Sequence, residues 1–325
     1  MTQVVDADVL DAGAGANALP ECLKVAQGFA RQGTGDDPRV PLDALGVAQE
    51  VDGGLAEMND LGAGLGVRQT PDLSNGWLDH APDTCSRPML QEFARLAQAT
   101  GKQVHTHLAQ SSLEVERIRA REGMTPVELL EDVGLLNADL VAAHCIFLTE
   151  GDIARLGRNR VVVAHAPVGN ASFGAAAPIV ALEQAGAQIT LCTDTKCADM
   201  FEAMRMAIAS ARGRAGMEMV LEARTVFGWA TTGGAAALKG HGASGTLAPG
   251  APADLTLLDP EAPNLRPVID GFGIVVHSGS AANVRAVICA GEVLVRDGRP
   301  TRVDPAEVIA EAQRVAEGLW QRARG

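Results

Sequence analysis

Two hydrophobic periodicities alternate along the chain from Ala81 onward. Short apolar runs, which are typical of buried strands, are followed by longer segments whose apolar residues recur every three or four positions, which is typical of amphipathic helices. This alternation predicts a parallel α/β unit. The strands are predicted at Gln103–His107, Leu140–His144, Arg160–His165 and Gln188–Asp194.

Helices are predicted in the intervening segments. The first is expected to start after Ser86, whose hydroxyl suits an N-cap, and to end at Gly101. Thr149 and Asp199 are the expected N-caps of two later helices. The other predicted helices are Leu113–Arg121, Pro126–Val133, Pro178–Ala185 and Ala223–Leu238.

Each predicted strand ends in a side chain suited to metal or proton chemistry. Three consecutive strands end in His107, His144 and His165, and the fourth ends in Asp194. Since the carboxyl ends of the strands converge on one mouth in parallel α/β barrels, these side chains are expected to meet. His105 points to the same strand face as His107, and paired imidazoles favour a metal site. Any one histidine alone would more simply cap a strand, so the shared position of all four favours a site.

The rest of the chain divides by its pattern. Strands at Val284–Ala290 and Val293–Asp297 are predicted to pair across a turn, and Asp304 is expected to cap a final amphipathic helix. Residues 1–80 show no clear hydrophobic periodicity. Residues 81–240 are predicted to form the barrel portion, which extends to 243 when its final helix is included. Residues 244–300 are predicted to form a β-sandwich-like segment, and 301–325 a C-terminal helix.

Composition limits the classes of function. The chain has 325 residues, 47% hydrophobic and 21% charged, which is enough to bury a large core. Its formal net charge of -13 and its lack of a basic run argue against nucleic-acid or anionic-membrane partners and favour a small-molecule substrate. The six cysteines show no CxxC spacing, and no N-terminal stretch combines basic and apolar residues. We therefore expect reduced thiols, a cytoplasmic location and no membrane span.

Several motifs are specific when their order is considered together. They are Val104-His-Thr-His-Leu-Ala109, Ala143-His-Cys145, Val163-Ala-His-Ala-Pro167 with Gly169-Asn170, Thr193-Asp194, Gly228-Trp-Ala-Thr231 and the segment from Gly245 to Asp254. Together they resemble the amidohydrolase superfamily, in the branch of cytosine, guanine and S-adenosylhomocysteine deaminases and triazine hydrolases. The resemblance covers roughly residues 81–325. It implies an α/β fold, a distorted (β/α)8 TIM-like barrel with a small β-sandwich formed from both chain ends.

The resemblance also implies a metal site. In that family one divalent ion, commonly zinc or iron, is held by a His-x-His pair on the first strand, a histidine on the fifth and an aspartate on the eighth. His107 resembles the fifth-strand ligand, Asp194 the eighth-strand aspartate, and His144 a sixth-strand histidine that contacts the substrate or the hydrolytic water. His105 supports His107 and is a third candidate ligand, and His165 is a further candidate for substrate contact. Asp194 would accept the proton of the attacking water before ammonia leaves.

Two features depart from the family pattern. The first-strand His-x-His has no counterpart in residues 1–80, where His80 is the only histidine, so the chain is expected to lack the family's N-terminal part. The family's usual His-Leu-Ala-Glu is His107-Leu-Ala-Gln110 here. The glutamate of that motif normally shuttles protons, whereas Gln110 can hydrogen-bond but cannot act as an acid or base near neutral pH.

Three hypotheses follow from the sequence. The leading one is a metal-dependent hydrolase of a non-peptide C–N bond in a cyclic, nitrogen-rich small molecule, most simply a deaminase that tolerates Gln110. The second is a rearranged metal site. Its ligands would be His105, His107, His144, His165 and Asp194. The third is a catalytically impaired or inactive amidohydrolase-like fragment, or a binding protein. The acidic barrel and apolar final helix are compatible with a homo-oligomer.

Overall fold

The chain divides into two structural units. One comprises Met1–Ala12 and Asn75–Gly298, and the other Gly13–Ser74 and Arg299–Gly325. The computed structural model describes residues 3–5, 76–78, 81–137, 139–196, 198–216, 220–238 and 244–324. Most of region 1–80, including His80, lies outside the described residues.

Strands and helices alternate through most of the described chain. The strands are β1 (Gln3–Val5), β2 (Gly76–Leu78), β3 (Gln103–Leu108), β4 (Leu140–His144), β5 (Val162–His165), β6 (Gln188–Leu191), β7 (Leu255–Leu258), β8 (Val284–Cys289), β9 (Glu292–Arg296) and β10 (Arg299–Pro300). The α-helices are α1 (Arg87–Thr100), α2 (Ser112–Glu122), α3 (Pro126–Asp132), α4 (Glu150–Arg158), α5 (Pro167–Ser172), α6 (Ile179–Ala185), α7 (Met200–Arg214), α8 (Ala223–Gly228), α9 (Gly234–Ala237), α10 (Gly271–Ser278) and α11 (Pro305–Arg324).

A parallel sheet runs through the first unit in the order β2-β3-β4-β5-β6. Every neighbouring pair is parallel, with Val104 opposite Leu140 and Val163 opposite Ile189. Most residues of β4 and β5 are buried, as expected of a parallel sheet whose connections are helices. This arrangement confirms the predicted α/β class, and it places the carboxyl ends of the strands along one edge.

One predicted strand is wrong at its end. β3 and β4 occupy their predicted segments to within one residue, but β6 ends at Leu191, so Asp194 lies beyond the strand. The backbone φ of Asp194 is +55°, and its own Oδ1 accepts the N–H of Thr195 at 2.6 Å. A short acidic side chain that bonds the next backbone amide is typical of a turn, and this turn follows the end of β6.

The predicted helix caps are confirmed. Ser86 accepts the N–H of Met89 at the start of α1, and Gly101, with φ of +66°, ends that helix. Thr149 and Asp199 accept backbone N–H groups at the starts of α4 and α7. These side chains satisfy amides that have no partner inside the helix.

The helix predicted over Ala223–Leu238 is confirmed as continuous helical backbone from Ala223 to Ala237, but its hydrogen-bond pattern changes in the middle. A π-helical turn at Trp229–Gly233 separates α8 from α9. Gly233 lies so close to β6 that an added Cβ would be 2.5 Å from the carbonyl oxygen of Ile189. The missing side chain therefore permits this close approach, which the helical pattern alone does not indicate.

A mixed sheet also belongs to the first unit, in the order β1-β7-β8-β9. β1 is parallel to β7, whereas β8 is antiparallel to both β7 and β9. The predicted hairpin of β8 and β9 is confirmed. Its turn has positive φ at Ala290 and Gly291, and the Ala290 N–H donates to Asp254 Oδ1 at 2.7 Å.

The described part of the second unit contains β10 and the long helix α11. Asp304 Oδ1 accepts the N–H of Ala306 at 2.8 Å, which confirms the predicted cap. Among the described residues, every helix is too short or too polar to cross a bilayer.

Candidate active site

The carboxyl end of β3 carries the two histidines of the motif. His105 and His107 alternate with the buried residues Val104, Thr106 and Leu108, so both imidazoles share the less buried face of the strand. Burial lowers the pKa of His105. Both side chains are therefore placed as predicted, facing away from the apolar side of β3.

The structure brings His107 and His144 together. Their ring centroids are 5.4 Å apart and their planes are inclined by 19°, so the rings are stacked. In the sheet register His144 is opposite Leu108, whose side chain lies on the other face from that of His107. The backbone φ of +71° at His144 breaks the normal alternation and allows its ring to turn toward His107.

Helix α5 positions His144 from a second side. Asn170 is buried, and its Oδ1 lies 2.8 Å from His144 Nδ1. Because this amide oxygen is an acceptor, Nδ1 is the donor, and Nε2 is the basic nitrogen of the neutral ring. Asn170 therefore fixes both the orientation and the tautomer of His144.

Asp194 meets the residue that precedes Asn170. An added Cβ on Gly169 would be 2.2 Å from Asp194 Oδ2, so the carboxylate occupies the space that a larger residue would fill. Asp194 is otherwise exposed. Adjacent positions of α5 thus contact two of the predicted site residues, His144 and Asp194.

His165 is the most buried histidine of the set, with 1% of its surface exposed. Its ring packs edge-on against Trp229 at a centroid distance of 6.5 Å. Neither ring nitrogen has a hydrogen-bond partner among the described residues. Burial and, to a smaller extent, the nearby His144 lower the pKa of His165 to about 3, so the imidazole is neutral at physiological pH.

Gln110 lies in the turn after β3, and a buried acid one turn further along organises that turn. Glu114 is only 1% exposed, and its carboxylate accepts the N–H groups of Ala109 at 2.7 Å and Gln110 at 2.8 Å. The residue types at the strand ends do not predict that Glu114 has a structural role at this site. The Ser111-x-x-Glu114 spacing, which is the pattern of a helix capping box, is the signal that could have found it.

The proposed metal ligands do not all converge. Within the described part of the chain, no group of three or more His, Cys, Asp or Glu side chains is arranged to hold a metal ion. The trio of His105, His107 and Asp194 is therefore not assembled here, and neither is the larger rearranged site that adds His144 and His165. Imidazole and carboxylate are suitable donors for zinc, but the described residues do not complete a site by themselves.

The sequence of this chain matches a known family over most of its length. Residues 67–294 match the family model of the Amidohydrolase family. The chain therefore belongs to the amidohydrolase family, which confirms the resemblance seen in the motifs.

Named deaminases are among its relatives. The chain is 36% identical over 283 residues to a 5-methylthioadenosine/S-adenosylhomocysteine deaminase of Pelotomaculum thermopropionicum, covering 81% of this chain and 65% of that protein. It is 32% identical over 306 residues to a 5'-deoxyadenosine deaminase of Methanosarcina mazei, covering 88% of this chain and 70% of that one. The chain therefore spans less than two thirds of the length of the first of these relatives.

A solved structure shares the fold. The crystal structure of an adenosine deaminase from Xanthomonas campestris with bound zinc superposes with a TM-score of 0.75 at 27% identity. The match covers 82% of this chain and 61% of that one.

Proposed function

We propose that this chain is a hydrolase that removes the amino group from an adenine-like base of a small nucleoside. The observation that carries the proposal is its identity of 36% and 32% to two named deaminases of adenosine-type compounds. In the reaction, water adds to the ring carbon that bears the amine, a C–O bond forms, the C–N bond breaks and ammonia leaves. The broader class, hydrolysis of a non-peptide C–N bond in a nitrogen-rich ring, follows from the same relatives.

The proposal extends to the architecture. We place strands β3–β6 in a distorted (β/α)8 TIM-like barrel of residues 81–243, to which the pairing of β2 with β3 adds Gly76–Leu78. A β-sandwich-like segment at 244–300 and a helix at 301–325 follow. The zinc-bound relative with a TM-score of 0.75 supports this assignment. The pairing of β1 with β7 supports the idea that both ends of the chain contribute to the smaller sheet.

Asp194 and His144 have the central catalytic roles in this proposal. The exposed carboxylate of Asp194 accepts the proton that water releases as it adds to the ring. His144, held through Nδ1 by Asn170, presents Nε2 to the water or to the oxygen that forms on the ring carbon. This oriented nitrogen is supported by the 2.8 Å contact rather than by residue type alone.

Gln110 and His165 bind rather than transfer protons. The Gln110 amide can donate to or accept from a ring nitrogen of the base, but it cannot exchange a proton near neutral pH. His165 is neutral and buried beside Trp229, so it suits the apolar wall under a flat heterocycle better than an ionic contact.

We also propose that the protein binds one divalent ion, with zinc ahead of iron. His107 and Asp194 are its proposed ligands, and His105 is the third candidate. These three side chains do not form a metal-binding group in the described structure, so metal binding would have to bring them together. When bound, such an ion supplies hydroxide by lowering the pKa of its water. The zinc in the Xanthomonas campestris relative supports this choice of metal.

The test measures ammonia release and metal content on the same preparations. Full-length protein purified with zinc is incubated with 5'-deoxyadenosine, 5-methylthioadenosine and cytosine. We expect ammonia from the two nucleosides and about one zinc per chain after dialysis. Asp194→Ala should reduce turnover by at least about 100-fold, and His107→Ala should abolish zinc retention.

His277→Ala is the matched control, since His277 is an exposed histidine at the end of α10. It should retain both zinc and turnover. Folded, zinc-loaded protein that binds the nucleosides but releases no ammonia would contradict the proposed reaction and identify a binding protein. Zinc-free protein with full turnover would contradict the metal proposal alone.

A further inference from the structure

The turn between β3 and α2 holds a carboxylate in an unusual place. Glu114 lies in the first turn of α2, where a glutamate normally reaches back to the N–H of the capping residue, here Ser111. Its two oxygens instead accept the N–H groups of Ala109 and Gln110, which precede the cap. A charged side chain that is only 1% exposed thus binds the N–H groups of two successive peptide units.

The chemistry of this contact favours the ionised form of Glu114. Two backbone N–H donors and the positive end of a helix both stabilise a carboxylate. Burial raises the pKa of the neighbouring Cys145 thiol, and the charge of Glu114 raises it further. A carboxylate that is buried away from water makes strong, directional hydrogen bonds. These bonds fix the backbone conformation of the turn.

Ala109 connects this carboxylate to the next strand. Its carbonyl oxygen accepts the N–H groups of Ile146 at 3.1 Å and Phe147 at 2.9 Å, and Leu108 accepts that of Cys145 at 3.0 Å. The segment after β4 is therefore bonded to the turn after β3 at three successive amides. Glu114 holds one side of Ala109, and the segment that follows His144 holds the other.

The same segment is under backbone strain. Ala109, His144 and Cys145 all have positive φ, of +49°, +71° and +52°. For residues other than glycine this conformation is unfavourable and persists only where surrounding bonds enforce it. The hydrogen bonds of Glu114 to the Ala109 turn, and of the Ala109 carbonyl to the segment after His144, connect these strained residues.

We propose that Glu114 is a positioning residue that sets the placement of His144 and Gln110 without touching the substrate. The inference rests on the proposed function for its kinetic effect, and on the geometry alone for its effect on His144. Loss of the carboxylate should let the Ala109 turn relax, which would shift the stacked pair of His107 and His144. The substrate pocket would remain, but its reacting groups would be misplaced.

The test compares Glu114→Ala and Glu114→Gln in the full-length, zinc-loaded protein. We expect kcat to fall by about 30-fold for Ala and about 10-fold for Gln, with KM changed by less than about 2-fold. Gln keeps the shape and one acceptor oxygen, so partial rescue by Gln indicates that the bonds matter. Glu116→Ala removes an exposed acid of the same helix and should leave kcat, KM and stability unchanged.

A second measurement does not depend on turnover. The imidazole signals of His144, assigned in nitrogen-15 NMR spectra, should move in both Glu114 variants and stay in place in Glu116→Ala. If Glu114→Ala does not fold, Glu114→Gln decides the question. A folded Glu114 variant with wild-type His144 signals would overturn the inference. Shifted signals in a protein without turnover would support the positioning role while contradicting the proposed function.

Discussion

The ends of β3 and β6 place their functional residues by different means. At β3, a buried carboxylate and three backbone hydrogen bonds to the segment after β4 enclose the turn that follows His107. After β6, the exposed Asp194 is placed by a bond to the next amide, and its carboxylate occupies the space that a side chain on Gly169 would fill. The first arrangement is a network of backbone bonds, and the second is local and steric.

This difference has a consequence for mutation. In a bonded network, the geometry depends on buried donors and acceptors, so exchange of an outward-facing side chain leaves the backbone in place. A side chain that is positioned by close contact depends on the volume of the neighbouring residue, so one methyl group added to that neighbour is enough to displace it. Asp194 should therefore be sensitive to small steric changes, and the turn after β3 should tolerate changes of side-chain type.

The largest expected effect follows Gly169→Ala. The new Cβ would lie 2.2 Å from Asp194 Oδ2, so the carboxylate must swing away. We expect turnover to fall by at least about 100-fold, together with loss of zinc retention. The free energy of unfolding should change by less than about 1 kcal/mol, because the added Cβ meets only the exposed side chain of Asp194 and alanine suits a helix.

Gly213→Ala provides the control for this substitution. Gly213 lies exposed in α7, and an added Cβ there meets no atom within 4 Å. Turnover and zinc content should equal those of the wild type. If Gly169→Ala also behaves like the wild type, steric contact does not place Asp194, and the contrast between the two strand ends fails.

Much of this site was predictable from periodicity. The apolar runs that stop at His107 and His144 predict both residues at strand ends, and in the structure their rings are stacked. The same pattern predicts Asp194 at a strand end, which is wrong: β6 ends at Leu191, and Asp194 lies in the turn beyond it, where its Oδ1 accepts the N–H of Thr195. The apolar run alone does not indicate where strand pairing stops and this side-chain turn begins.

Other features depend on contacts that no pattern contains. Asn170 and Gly169 belong to one of the sequence motifs, but their separate contacts with His144 and Asp194 arise from how α5 packs. The π-helical turn at Trp229 depends on a close approach between Gly233 and β6. Tertiary contacts of this kind override local propensity, so sequence reasoning reached the strands and their order but not the details that orient the side chains.

A smaller effect is expected from Gln110→Glu. The backbone N–H of Gln110, rather than its side chain, is tied to Glu114, so the exchange should leave the turn intact. A carboxyl group at this position can exchange protons with a ring nitrogen, and we expect the rate of ammonia release to rise by about 10-fold. The measurement is kcat over pH 5 to 8, with Gln110→Ala as the control that lacks both functions.

The opposite result would be informative. A wild type that already releases ammonia rapidly, combined with a slower Gln110→Glu variant, would mean that the site does not lack an acid. It would also mean that the turn is sensitive to side-chain charge, which would weaken the contrast with β6.

The smallest expected effect concerns β5, whose His165 is buried between the two regions. Its folded-state pKa of about 3 lies below the ordinary value of 6.5, so the unfolded chain takes up the proton first as the pH falls. The contribution of His165 to stability is therefore fully present above pH 6.5 and is lost as the pH falls toward 3, by at most about 1.4 kcal/mol per pH unit.

The variant His165→Phe keeps an aromatic ring against Trp229 and removes the titrating group. The difference between the two proteins in free energy of unfolding should therefore change by about 1 kcal/mol between pH 6.5 and 5.5. Urea unfolding at several pH values measures this, and parallel curves would mean that His165 is accessible to protons in the folded state.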